Sequence, residues 1–185
     1  MFKNLITDRL LLRNIETEDR DFIFHQFSND TVNRYLFDAE PLTKLEQADE
    51  IIDFYIYPES RLQHRWVIIR KKDNAKMGTC GFHCWNKNAG IIDIGYDLRE
   101  EFWGKGYMQE ALKEIIVYAD EVMRVKEIRA MISVDNVKSI RLAESLNFKV
   151  KGSEYVLFRN KKYLHNIYRL YLKENNEKSL LKASQ

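Results

Sequence analysis

Gly104 and Gly106 lie inside Phe102-Trp103-Gly104-Lys105-Gly106-Tyr107-Met108-Gln109-Glu110, where a glycine turn passes straight into a patterned segment. Met108, Ala111, Leu112, Ile115, Ile116, Ala119, Val122 and Met123 follow at three- and four-residue spacing, which places them on one buried helix face. A helix is therefore expected to begin near Gly106. The first N–H groups of a helix have no internal partner and carry the positive end of its dipole, so an anion can bind there without an arginine clamp. The two glycines let the backbone come close to such an anion. The simpler reading is a glycine turn that only starts a helix. Two familiar phosphate loops do not fit: Gly104-Lys105 is followed by Gly106 rather than Ser or Thr, and the third glycine of a dinucleotide fingerprint falls on Gln109.

The elements that must position this turn read as alternating strands and helices. Thr7–Ile15 is expected as the first strand, and Thr17 as the cap of a helix through Phe22, Ile23 and Phe27 that ends near Asn29-Asp30. A loop-like section from Arg34 leads to Pro41. Thr43-Lys44-Leu45-Glu46 then reads as a capping box for a helix carrying Leu45, Ala48, Ile51, Ile52, Tyr55 and Ile56, with Pro58 just beyond its end. Arg65–Arg70 and Met77–Trp85 form a hairpin about Asp73-Asn74, and Asn86–Gly90 turns the chain into a strand over Ile91–Leu98. Gly95 inside that strand suggests a bulge or a close backbone approach. After the glycine-started helix come a strand over Ile128–Val134, a short helix from Ser139 to Leu146 ending at Asn147, and a closing hairpin of Glu154–Phe158 and Tyr163–Leu172 about Asn160-Lys161. A strand on either side of the central helix implies a parallel crossover.

Three stretches resemble one family. Trp103-Gly104-Lys105-Gly106-Tyr107-Met108 resembles the pyrophosphate motif Gln/Arg-x-x-Gly-x-Gly/Ala of the GNAT superfamily of acyl-CoA N-acyltransferases, with Trp103, Gly106 and Met108 at its first, fourth and sixth positions. The Trp is usual in the branch of RimJ/RimL-type ribosomal-protein N-terminal acetyltransferases. Thr7-Asp8-Arg9-Leu10-Leu11-Leu12-Arg13 resembles the T-x-R-L-x-L-R opening of that branch. Asn136 to Phe148 resembles its N-x-x-S-x-R-x-x-E-x-L-G-F, with Asn147 in place of the Gly. The resemblance spans roughly residues 7–172. It implies an α+β fold of the α/β/α sandwich kind: a mixed, mostly antiparallel twisted sheet with a central, splayed parallel strand pair. The implied domain is a single N-acetyltransferase domain over 1–185, with a frayed polar tail at 173–185.

The resemblance also implies an activity and a set of residues. Acetyl-CoA is the implied cosubstrate, held by Trp103, Gly104, Lys105, Gly106, Tyr107 and Met108, with Asn136 on the pantetheine arm; Lys105 is either a phosphate contact or an ordinary surface charge. The implied reaction is direct attack of a primary amine on the thioester. Asp93 falls where the branch commonly has Glu in E-I-G-Y, making it the candidate base, or else a plain strand ion pair. Many members use a Tyr where this chain has Ala143, so Ser139 is the candidate acid as well as a cofactor contact, unless its hydroxyl only caps the helix. His83, Trp85 and Tyr96 are candidate acceptor contacts or sheet packing. The acceptor is a peptide N-terminus or a small-molecule amine; the alternative is a non-catalytic acyl-CoA-binding or sensing module.

Composition sets outer limits. The chain has 185 residues, with 30 basic and 28 acidic side chains and a net charge of +2, a balance that points to neither a nucleic-acid nor a membrane-surface protein. Cys80 and Cys84 lie four apart on an expected strand and read as core thiols sharing one face, and the four histidines show no metal-ligand spacing. No long apolar run occurs, so a cytoplasmic protein is expected. The abundant aromatic residues leave a homodimer open.

Overall fold

The computed structural model describes residues 2–36, 39–57 and 62–172. Pro58 and the tail from Lys173 lie outside them. One eight-stranded sheet runs through the described residues in the order β1-β2-β3-β4-β5-β6-β8-β7. Its strands are β1 (Leu5–Ile6), β2 (Leu10–Asn14), β3 (His64–Arg70), β4 (Ala75–Asn86), β5 (Ile91–Leu98), β6 (Glu127–Ser133), β7 (Lys149–Phe158) and β8 (Lys161–Tyr171). Neighbours are antiparallel except β5 and β6.

Helices α1 (Arg20–Phe27), α2 (Asp30–Asn33) and α3 (Glu46–Ile56) precede β3, while α4 (Tyr107–Glu121) and α5 (Val137–Ser145) flank β6 in sequence. The alternation of the strands sorts the apolar residues onto two sides. Trp66, Ile68, Cys80, Phe82, Ile92 and Ile94 join the α4 side chains in the larger core, whereas Val67 and Ile69 pack with α1 and α3.

The mixed sheet, the central helix and the parallel crossover are as the sequence implies, and several local features differ. The strand expected over Thr7–Ile15 begins only at Leu10, and a further strand, β1, precedes it: Thr7 N donates to Leu10 O and Leu10 N donates back to the Thr7 hydroxyl, each at 3.0 Å, closing a tight turn between the two. At α3 the capping side chain is Gln47, whose Oε1 accepts from Thr43 N at 2.8 Å and Lys44 N at 2.9 Å, and not Glu46. Between the expected helix end at Asn29-Asp30 and the loop-like section from Arg34 lies a further short helix, α2, capped by Asn29. Val122 is exposed because α4 ends at Glu121 and the helical phase ends with it; Tyr118 takes a buried place instead. Strand β7 starts at Lys149 rather than Glu154: on this exposed edge, Lys149-Val150-Lys151-Gly152-Ser153 has no apolar alternation to announce it.

Cys80 and Cys84 do not share a face. Cys84 adopts φ 52, and the β4–β5 register shifts between His83 and Asn86. That bulge adds one residue to the alternation, so Trp85 enters the core in Cys84's place and the Cys84 side chain is exposed. Burial and the nearby Asp93 carboxylate push the Cys84 thiol up, with Arg129 acting the other way. Titration of the native protein with a thiol reagent is expected to modify one cysteine, slowly at neutral pH and faster as pH rises. The second should react only in denaturant, and Cys84→Ser should abolish the native reaction. Two reactive thiols in the folded state would contradict the bulge.

Candidate active site

The glycine turn has the backbone geometry of an anion-binding helix start. Gly104 and Gly106 have φ 70 and 75, and Gly106 is the N-cap of α4. Glu110 N donates to Gly106 O at 3.1 Å. Among the described residues, no acceptor meets the N–H groups from Gly104 through Gln109. A Cβ on Gly104 would meet nothing within 4 Å, so the turn stands open. Met108 is buried in the core, and its bulk does not occupy the turn. Successive unpaired N–H groups at a dipole's positive end form the arrangement that binds phosphates.

A single carboxylate fastens this turn to the first strands. Glu110 Oε1 accepts from the Thr7 hydroxyl at 2.5 Å and from Arg9 N at 2.9 Å, while Oε2 accepts from Arg9 Nε at 2.6 Å. The same guanidinium donates from Nη1 to Lys105 O at 3.0 Å. Burial pushes the Glu110 carboxyl up, but the bonds from Thr7 and Arg9 outweigh it and hold the group below its ordinary value. Neither Arg9 nor Glu110 was singled out from the sequence, although each falls within a stretch that resembles the family.

The side chains around the turn take separate duties. Lys105 Nζ donates to Glu101 O at 2.6 Å, so it closes its own loop. Trp103 Nε1 donates to Leu98 O at 2.7 Å, and the Lys138 ammonium lies 3.7 Å from the centre of the Trp103 ring. The Tyr107 ring lies under Arg9, 4.5 Å away, and hydrogen bonding from Arg70 holds its phenol below the ordinary value.

Beside the turn, the two parallel strands part. They pair at Ile91 with Glu127, Ile92 with Ile128 and Asp93 with Arg129; beyond that, β5 pairs only with β4 and β6 only with β8. Asn136 caps α5, its Oδ1 accepting from Ser139 N at 3.2 Å, so the Ser139 hydroxyl is not the cap. Tyr96, on β5 past the parting, has the Ser139 hydroxyl as a neighbour, and burial pushes its phenol up to about 12.

The opposite face of β5 carries Asp93, at the parting point. Arg129 Nε donates to Asp93 Oδ1 at 2.8 Å, and both side chains stay partly open, at 37% and 22% exposure. His83 is Asp93's register partner on β4, and its Cε1 lies 3.2 Å from where a Cβ on Gly95 would sit. Gly95 thus serves a close approach, while the bulge sits on β4. Trp85 is on the other side of the sheet, buried in the main core with Lys87 4.8 Å from its ring centre. The fold therefore brings His83 to Asp93 and Tyr96 to Ser139, and leaves Trp85 apart from the Asp93 face. Arg129 escaped the sequence reading, although it is a cation on the strand that the crossover places beside Asp93.

This fold and this cradle define a cofactor-dependent acyltransferase of the acyl-CoA type. The chain belongs to the GNAT acetyltransferase family, whose acetyltransferase (GNAT) domain model matches residues 9–149. It is 34% identical over 172 residues to the uncharacterized N-acetyltransferase YoaA of Bacillus subtilis (strain 168), covering 91% of this chain and 96% of that one. Two solved structures share its fold. One is RimL, a ribosomal L7/L12 α-N-protein acetyltransferase in complex with coenzyme A, with TM-score 0.81, 19% identity, and 91% and 97% of the two chains covered. The other is a spermidine N-acetyltransferase from Vibrio cholerae in complex with CoA and spermine, with TM-score 0.77, 20% identity, and 90% and 96% covered. Family membership makes this chain an acetyl-CoA-dependent acyltransferase. Among the described residues no helix is long and apolar enough to cross a membrane.

The Glu110 clamp has a pH signature. A carboxyl whose folded value lies below its unfolded one stabilises the fold above the unfolded value, about 4.3, and loses that contribution as pH falls through the folded value. Glu110→Gln is expected to cost roughly 1–2 kcal/mol at pH 7, discounted for partial exposure. The gap from wild type should close below about pH 4 in denaturant melts. An equal gap at both pH values would remove the ionised carboxylate from the clamp.

Proposed function

We propose that this chain transfers an acetyl group from acetyl-CoA to a primary amine by direct attack, with a peptide N-terminal α-amine as the favoured acceptor. The observation that carries the reading is the row of acceptorless N–H groups at Gly104–Gln109 opening beside the parted strands. Acetyl-CoA supplies an acyl carbon already activated as a thioester. Backbone N–H groups of the turn hold its pyrophosphate, with the flank of Trp103 and Lys138 beside them, and the Asn136 amide nitrogen, not used in capping, reaches the pantetheine arm.

Asp93 orients the amine from the other face and takes its proton through a water, since the aspartate arm is short. His83 borders the acceptor there. Trp85 supports that border only from within the core, and Tyr96 belongs to the acyl side. Ser139, freed from capping by Asn136, supplies the proton to the departing sulfur. We take the chain to act as a single cytoplasmic domain; two free cysteines and the mixed charge support that.

The acceptors' own acidity favours the α-amine over a lysine or polyamine amine. An α-amine of about 7.7–8.0 is partly neutral unaided at neutral pH, whereas an amine of about 10.4 is almost wholly protonated there. Steady-state assays at pH 7.5 are expected to give an N-terminal peptide a kcat/KM about two hundredfold above an Nα-blocked lysine, the ratio of their neutral fractions. Equal rates on both would contradict this choice. Ser139→Ala should lower kcat by about 10²-fold with acetyl-CoA KM little changed, and an effect below about threefold would take Ser139 out of the mechanism. Asp93→Asn should leave cofactor binding intact and make kcat/KM follow the acceptor's own ionisation.

A further inference from the structure

We propose that the Tyr96 hydroxyl is a catalytic hydrogen-bond donor to the departing sulfur of the acyl donor, an inference that rests on reading the β5–β6 gap as the acyl-CoA site. Tyr96 lies past Asp93, the last β5 residue paired with β6, on the face that packs against the main core. Its Oη is buried and makes no hydrogen bond of good geometry; the Ser139 hydroxyl at the start of α5 is near enough to interact with it and to pull its phenol down, but does not satisfy it. A buried hydroxyl without a partner is costly, and such groups are rare in folded chains. Phenylalanine would fill the same space at no such cost, so this oxygen calls for a partner that arrives from outside the chain. One turn beyond Ser139 on α5 stands Ala143, buried in the same core cluster, and it brings no polar atom. Tyr96, from the strand, thus places a phenol where the helix lacks one.

In the step itself, the amine nitrogen bonds to the carbonyl carbon and the carbon–sulfur bond breaks with its electron pair going to sulfur. The amine proton leaves through water and Asp93. Burial holds the Tyr96 phenol near about 12, whereas an ordinary thiol titrates near about 8.5, so complete proton transfer from phenol to thiolate runs uphill. Tyr96 therefore keeps its proton and stabilises the charge gathering on sulfur, as a donor fixed in advance of the reaction. The proton that ends on sulfur comes from solvent through Ser139.

The test is Tyr96→Phe in the full chain, after acetyl-CoA binding by wild type has been measured. The variant is expected to lose between about 10-fold and 10²-fold in kcat, keep its acetyl-CoA KM within about threefold, and melt at or above the wild-type temperature. A merely structural tyrosine would lower stability and activity together. A second arm uses free CoA and needs no acceptor: wild-type affinity should rise as pH passes through the thiol's range, and rise less in Tyr96→Phe. A kcat within about threefold of wild type, or the same pH dependence of CoA affinity in both proteins, overturns the proposal. Absence of CoA binding in wild type overturns the acyl-CoA reading itself, an outcome visible before any variant is compared.

Discussion

A helix that starts on a left-handed glycine turns its first N–H groups outward with nothing to bond, and the architecture here is arranged around keeping α4 in that state. Six consecutive groups, Gly104 through Gln109, have no acceptor among the described residues. The turn opens at Gly104, where a Cβ would meet nothing within 4 Å, and it is held from behind. Glu110 does the holding, taking bonds from Thr7 and Arg9, about a hundred residues away in sequence. The opening turn Thr7–Leu10 thus acts as a brace for the start of the central helix. The apolar face of α4, from Met108 to Ala119, anchors the same helix into the core from below.

The second constraint is the place where the sheet stops pairing. Strands β5 and β6 are joined at their beginnings and separate after Asp93 and Arg129, so a gap opens at the end of the sheet where the glycine turn lies. The two faces at this gap differ in character. One offers the hydroxyls of Tyr96 and Ser139, the other the Asp93–Arg129 pair with His83 alongside. Acyl donor and amine need these opposite chemistries: stabilisation of a leaving sulfur, and acceptance of a proton from nitrogen. The Asp93–Arg129 ion pair holds the carboxylate in place while both side chains stay partly open.

Much of this was legible because it is local. The helix start at Gly106, the left-handed Asn147 after α5 and the order of strands follow from spacing and from residue types whose backbone preferences are strong. The open glycine turn was readable for the same reason. What escaped depended on distant or atypical geometry. Cys84 takes a left-handed conformation that its type does not signal, and this one residue reversed the facing of Cys84 and Trp85. Glu46 and Gln47 could each have capped α3, and only the geometry selects Gln47. The Arg9–Glu110 and Arg129–Asp93 pairs required the fold, since nothing in either partner's neighbourhood names the other. Tyr96 was visible as a candidate acceptor contact, but its unpartnered oxygen was not.

The most direct test of the central claim is the thermal midpoint of the wild-type chain with and without acetyl-CoA. At one hundred times its dissociation constant a ligand bound only to the folded state adds about 2.7 kcal/mol, which for a chain of this size raises the midpoint by roughly 5–10 °C. The account predicts that rise, and predicts that Gly106→Val, which forces a β-branched side chain into φ 75 at the helix start, removes most of it. An unchanged wild-type midpoint at saturating acetyl-CoA would mean that the turn only begins a helix.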